Sequence, residues 1–310
     1  MTLTELRYLV ALAQERHFGR AAAACFVSQP TLSVAIRKLE DELGVAVFER
    51  RPNEVVLTPI GTRIAAQAMR ILDETRSLKA LAESGSDPLA APLRIGAIYT
   101  VGPYLFPRLI MTMRNEVPRM PLIIEENFTS VLAERLRQGD LDAIIVSEPF
   151  AQTGFSIAPL YDEPFLVALP PAHPWTARTE IAAAQLAEET TLVLGAGNCF
   201  RDQVLKVCST PARAEPGEWQ KTLEGGSLET IRYMVASGVG ITVLPCSAGR
   251  QEGADTLVAL RPFAPPQPKR RVVLAWREHF PRPQAIDALR SAIHAHLPAC
   301  LQRAAGSGIA

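Results

Sequence analysis

The stretch from Ser28 to Gly44, S-Q-P-T-L-S-V-A-I-R-K-L-E-D-E-L-G, admits few structures. Ser28 suits an N-cap, Pro30 is tolerated only in a first helical turn, and Gly44 follows the last apolar residue where a left-handed stop is expected. Between these signals Leu32, Ile36, Leu39 and Leu43 step by four, three and four residues and so form one stripe to be buried. Burying it forces Gln29, Thr31, Ser33, Arg37 and Lys38 outward. Those side chains read base edges or bind phosphate, and they cluster toward the helix N-terminus with Ser28 and Pro30.

The flanks complete a compact unit. Thr2 and Glu5 stand at capping-box spacing before Leu6, Leu9, Val10 and Ala13, which predicts a first helix. A short alanine-rich helix, Arg20 to Phe26, follows Gly19. After Gly44, V-A-V-F-E and V-V-L-T flank R-R-P-N-E, predicting two strands joined by a basic turn that offers Arg50 and Arg51 to phosphate or the minor groove. Three helices and a hairpin make a winged helix-turn-helix over residues 1–58, expected to bind double-stranded DNA. Net charge gives that expectation no help, because Lys plus Arg and Asp plus Glu number 32 each.

Pro59 opens a longer helix in which Ile60, Ile64, Ala68, Ile71, Thr75, Leu78 and Ala82 recur at three- and four-residue steps, a seam suited to pairing two chains. G-S-D-P at residues 85–88 ends it as a hinge, so 59–88 is expected to be a linker and dimerisation segment. Beyond it strands alternate with helices in a βαβ rhythm that predicts parallel α/β structure. Residues 89–310 are long enough for two such lobes, about 89–162 with 268–300, and about 163–267, with a ligand-binding cleft between them.

No apolar run approaches the roughly 18 residues of a membrane span, and the first residues lack a secretory core, so a cytoplasmic chain without membrane contact is expected. Five scattered cysteines are not a disulfide framework and are expected to be reduced thiols. Cys25, Cys246 and Cys300 read as packing residues without a matching partner. No C-x-x-C or H-x-x-x-H cluster suggests a metal, His294 and His296 fall in a tail helix, and no cofactor is expected.

The order winged helix, pairing helix, hinge and two α/β lobes resembles the LysR-type transcriptional regulators over nearly the whole chain. The most specific stretch runs A-A-A-A-C-F-V-S-Q-P-T-L-S-V-A-I-R-K-L-E-D-E-L-G-V-A-V-F-E-R, with Val47 where the family usually has leucine. T-V-G-P-Y-L, D-E-P, H-P-W, C-F-R-D-Q-V-L-K-V-C and G-S-L-E-T-I-R-Y-M-V-A-S-G-V-G-I-T-V-L-P further resemble the peroxide-sensing branch of that family. The resemblance implies lobes like a type 2 periplasmic-binding protein and a homodimer or homotetramer on promoter DNA. It also implies hydrogen peroxide as the signal, RNA polymerase as a partner, and thiol reductants such as glutaredoxin or thioredoxin to reset the protein.

In that branch the peroxidatic and resolving cysteines correspond to Cys199 and Cys208. They lie nine positions apart on a segment read as helical, hence roughly 13–14 Å between α-carbons. A disulfide spans at most about 7 Å, so bonding them requires unwinding the helix. Asn198, where well-known members have histidine, is placed to cap that helix, and Arg201 to favour the Cys199 thiolate. The resemblance assigns Thr100 and Thr129 as hydroxyls near peroxide and Arg271 as positive charge, with Asp202 in the same motif. Two other readings compete: a small-molecule inducer in the cleft with the cysteines as packing, and a thiol enzyme that consumes peroxide, which the winged helix disfavours.

Overall fold

The computed structural model describes residues 1–51, 54–84, 87–207, 222–249 and 257–304. It divides at Glu83/Ser84 into two compact units.

In the first unit α1 (Leu3–Glu15) starts with the expected capping box: Thr2 accepts from the Glu5 amide while Glu5 accepts from the Thr2 amide. His17 caps α2 (Phe18–Ala24) through Nδ1. Ser28 caps α3 (Gln29–Leu43), and Gly44 ends it at φ +68°, a conformation that favours glycine. Leu32, Ile36 and Leu39 are buried against Leu6, Leu9 and Leu12, whereas Leu43, the last of the predicted stripe, is 36% exposed. The hairpin pairs β1 (Phe48–Arg51) with β2 (Glu54–Leu57) antiparallel. Arg50 and Arg51 therefore lie in β1 itself, opposite Val55 and Glu54, and not in the turn where the composition R-R-P-N-E had put them.

Thr58 anchors the next helix, α4 (Pro59–Ser84), by donating to Ala46 O and accepting from the Gly61 amide. A β-carbon at Gly61 would lie 2.0 Å from the Val47 carbonyl oxygen, so only glycine lets the helix pass so close to that backbone. Ala65, Ala68 and Leu72 are buried in the winged-helix core, and Ile64 and Ile71 pack on it. The first half of the predicted pairing seam is thus used within the chain. Leu78 beyond it stays exposed.

The second unit begins β3 (Leu93–Ile98), α5 (Gly102–Glu116), β4 (Leu122–Asn127), α6 (Thr129–Gln138), β5 (Ala143–Ser147). It continues through the long β6 (Phe155–Leu169), β7 (Thr191–Leu194), α7 (Cys199–Val207), β8 (Thr222–Gly225), α8 (Leu228–Ala236), β9 (Ile241–Pro245) and α9 (Cys246–Gly249). It closes with β10 (Ala259–Pro262), β11 (Lys269–Arg277), α10 (Pro283–Ala295) and β12 (Gln302–Arg303). The strands run in the order β4-β3-β5-β11-β6-β9-β7-β8. Pairing is parallel among β4, β3 and β5 and among β9, β7 and β8, but β11 and β6 run antiparallel to their neighbours at the centre, so the sheet is mixed, not parallel throughout.

Two hydrophobic cores result. Lobe I gathers β3, β5, α5, α6, α10 and the first half of β6. Lobe II gathers the second half of β6 with β7, α7, α8, β9 and α9. β6 traverses both. No helix among the described residues is long and apolar enough to cross a membrane.

The expectation of unpartnered thiols at Cys246 and Cys300 is corrected. They form a disulfide with α-carbons 6.3 Å apart at a sequence separation of 54. Register brings them together: β6 pairs with β9 at Phe165 and Pro245, and with β12 at Asp162 and Gln302, so both cysteines sit beside one short piece of β6. Such a sequence separation carries no local signal. Cys25 and Cys199 are free thiols.

Candidate functional site

The loop from Gly195 to Asn198 leads from β7 of lobe II into α7. Gly197 adopts φ +92°, and its vacant β-carbon position lies 3.6 Å from the Phe128 ring at the start of α6 in lobe I. Cys199 opens α7 half-buried, and although its helix belongs to lobe II it packs on the core of lobe I. The next residue, Phe200, points the other way into lobe II, edge-on to Phe165. Gln203 ties the same helix across, its Nε2 donating to Ser147 Oγ at 2.8 Å and to Glu148 O at 3.0 Å. Tyr104 of α5 reaches back, donating to Glu229 of α8 at 3.0 Å.

Under the Phe200 ring the lobes share a buried charge pair. Arg270 donates from Nε to Glu163 at 2.8 Å, from Nη1 to Thr100 Oγ1 at 2.8 Å and from Nη2 to Thr100 O at 2.7 Å, with its guanidinium 5.1 Å from the Phe200 centroid. Neither the Arg270 nor the Glu163 side chain is exposed at all. Glu163 also accepts from the Ser247 amide at 3.0 Å. Thr100 is buried, and Thr129 presents a buried hydroxyl oxygen with no hydrogen-bond partner among the described residues. A buried hydroxyl without a partner is costly and signals a place for a polar guest.

Other expected site residues face elsewhere. Arg271 is bound to Asp162 at 2.7 Å, and the arginine that reaches Thr100 is its neighbour Arg270. Asn198 donates from Nδ2 to Gly195 O, back into the loop, and does not form the capping contact expected of its amide oxygen. Arg201 is anchored on Leu194 O and paired with Glu224. Asp202 is exposed, and Cys208 lies outside the described residues. Cys25 sits in the other unit, where burial pushes its thiol up, the direction that suppresses a thiolate.

The hydrogen bond from Arg271, with help from Lys269, pulls the Asp162 carboxyl down to about 2 from an ordinary 3.8. A depressed carboxylate stabilises the fold fully above its unfolded value, and that contribution fades as pH falls through the folded value. Asp162→Asn is therefore expected to cost on the order of 1–2 kcal/mol at pH 7. Unfolding midpoints of the two proteins should converge as pH falls from about 4 to about 2; an unchanged gap at low pH would remove this assignment.

On the winged helix Gln29, Pro30, Thr31 and Arg37 are exposed around the Ser28 cap, and Ser33 is half-buried. Lys38 is held by Glu5 of α1 at 3.0 Å, which raises the lysine and lowers the glutamate. Two apolar side chains passed over in the sequence stand out on the same region: Val34 is 69% exposed on α3 and Phe26 is 96% exposed in the turn before it.

Residues 3–62 match the model of the bacterial regulatory helix-turn-helix proteins of the lysR family, and residues 86–298 match the LysR substrate binding domain. The chain belongs to the LysR family. Within this family it is 40% identical over 297 residues, 96% of each chain, to the "Hydrogen peroxide-inducible genes activator" of Dickeya chrysanthemi. Identity and coverage are the same with the "DNA-binding transcriptional dual regulator OxyR" of Escherichia coli K12. Among solved structures, a full-length OxyR mutant from Pseudomonas aeruginosa is 53% identical, with a TM-score of 0.68 and 94% of both chains covered. A hydrogen-peroxide-bound cysteine mutant of OxyR from Corynebacterium glutamicum is 30% identical, with a TM-score of 0.63 and coverage of 95% of this chain and 92% of that one.

For a LysR-family sensor, sequence had singled out Cys199, Thr100 and Thr129, all of which fall at the junction of the lobes. It missed Arg270, Glu163 and Gln203. Glu163 was quoted only inside the D-E-P motif, and Gln203 only inside C-F-R-D-Q.

Proposed function

We propose that the chain is a transcription regulator that hydrogen peroxide activates through a reversible bond between Cys199 and Cys208. The observation that carries this reading is the half-buried Cys199 thiol at the junction of the lobes, two residues after the Gly197 that abuts Phe128, with the buried hydroxyl of the following Thr129 lacking a hydrogen-bond partner among the described residues. Cys199 as thiolate attacks one peroxide oxygen; the S–O bond forms, the O–O bond breaks, and the departing hydroxide is protonated to water. Thr129 donates to or accepts from the peroxide, and Arg270, through Thr100, fixes the site's charge and geometry. The Cys208 thiolate then displaces hydroxide from the sulfenic sulfur, giving a disulfide and a second water.

α7 is continuous from Cys199 to Val207, so its first and last α-carbons stand roughly 12 Å apart while the helix lasts, beyond the about 7 Å a disulfide spans. Closing the bond undoes α7 and with it the Gln203 contacts to lobe I, which converts a local oxidation into a change between lobes. The helix-turn-helix reads promoter DNA: Gln29, Thr31, Ser33 and Arg37 toward base edges, Ser28 and Pro30 setting the helix start, Arg50, Arg51 and Lys38 toward phosphate, and Val34 toward a thymine methyl. Two or four copies bind an extended site, RNA polymerase is the downstream partner, and glutaredoxin or thioredoxin reopens the bond. One oxidation serves until that reset, so the protein acts as a switch and not as a turnover enzyme. An inducer-filled cleft is less well supported, because Tyr104–Glu229 and Gln203–Ser147 already close one lobe on the other.

Thr129→Val separates function from packing. Removing an unpartnered buried hydroxyl should leave stability unchanged or slightly higher. Peroxide oxidation of Cys199, followed by stopped-flow fluorescence, should slow by at least about tenfold. An unchanged rate would remove Thr129 from the site.

A further inference from the structure

We infer that Cys246 and Cys300 are a second dithiol–disulfide couple, a modification site separate from Cys199 that fastens one lobe to the other by thiol–disulfide exchange. Cys246 is the first residue of α9, whose Ala248 belongs to the lobe II core. Cys300 follows α10, and the Leu297 and Leu301 beside it pack on the core of lobe I. The bond between them is thus a covalent link between lobes that are otherwise joined by the strands β6 and β11. Its 6.3 Å α-carbon separation is within the ordinary span for a disulfide, so the fold places both cysteines ready to bond without moving backbone.

The two sulfurs differ in access. Cys246 is buried, with 1% exposure, while Cys300 is partly exposed in the segment leading to β12. Opening and closing therefore begin at Cys300. Its thiolate attacks one sulfur of a low-molecular-weight disulfide such as glutathione disulfide, forming a mixed disulfide and releasing one thiol that takes up the proton Cys300 lost. Cys246, deprotonated in turn, displaces the second thiol. Two protein thiols are oxidised and one small disulfide is reduced to two thiols.

The location gives the bond a route to the rest of the sensor. The residue after Cys246, Ser247, donates its amide to Glu163, which binds Arg270, which binds Thr100. Arg303, three residues after Cys300, pairs in β12 with Tyr161 of β6. Closing the bond holds both sides of the β6 crossing from Tyr161 to Glu163, whatever happens at Cys199.

The test uses the full chain with Cys25, Cys199 and Cys208 all changed to Ser, equilibrated across glutathione/glutathione-disulfide ratios and trapped with a maleimide. The two thiols are expected to titrate together as a single two-electron transition, with a peptide joining Cys246 to Cys300 that is lighter by two hydrogens. Amide exchange at residues 160–165 and 245–249 should quicken when the bond opens. Mapping the same peptide in the unmodified chain guards against a fold disturbed by the three substitutions. Independent labelling of the two thiols, bonds only between chains, or a bond unmoved at every ratio would each overturn the inference. Because Cys199 is absent from the variant, none of these outcomes depends on its peroxide chemistry.

Discussion

Glu163→Ala is expected to destabilise the sensor half by about 3–5 kcal/mol, the usual cost of removing one partner from a buried ion pair. The loss follows from what remains: Arg270, fully buried, would keep its charge with only the Thr100 oxygens and the Phe200 ring to solvate it. The Ser247 amide would lose its acceptor as well. Trp175, Trp219 and Trp276 are the only tryptophans and all follow the division at Glu83/Ser84, so their fluorescence reports this unit alone. The urea midpoint should fall by about 1–2 M at unchanged slope. Glu163→Ala combined with Arg270→Met should recover most of the loss, since an apolar pair of similar volume avoids the stranded charge. A single substitution costing less than about 1 kcal/mol would mean that water reaches the pair.

Cys199→Ser is expected to abolish the peroxide response while leaving the unoxidised protein's promoter affinity within about twofold, because a hydroxyl cannot be oxidised to a sulfenic acid. Cys25→Ser should respond normally: that thiol lies in the other unit and burial works against its thiolate. Footprints taken before and after peroxide measure both. A full response in Cys199→Ser would transfer the sensing to another residue.

What was legible in the sequence was local. Capping at Thr2 and Ser28, the stop at Gly44 and the stripe Leu32, Ile36, Leu39 are set by neighbours within four residues and appear as expected. The α4 seam was legible as a helix but not in its use, since a helical period is the same whether its apolar face meets its own core or another chain. β6 carries Pro159 and Pro164, a residue type that strands admit mainly at edges and bulges. The sheet accommodates Pro159 where the register with β11 shifts between Val272 and Val273.

The arginine at the site shows how unforgiving a strand is. Successive side chains point to opposite faces, so choosing Arg271 over Arg270 exchanges a part-buried pair with Asp162 for the fully buried pair with Glu163. Asn198 was expected to cap α7 because its type favours caps, yet its amide serves the loop instead. The Cys246–Cys300 bond was invisible for a different reason: only the pairing of β9 and β12 with β6 makes those residues neighbours.

The most direct measurement is peptide mass mapping of the full-length chain before and after brief exposure to stoichiometric hydrogen peroxide, with thiols trapped at once. The reduced protein should carry Cys199 and Cys208 as separately alkylated peptides, and the treated protein a single peptide joining them, lighter by two hydrogens, that glutaredoxin or thioredoxin reverses. Cys199 and Cys208 both still alkylated after peroxide, while promoter footprints change, would contradict the account.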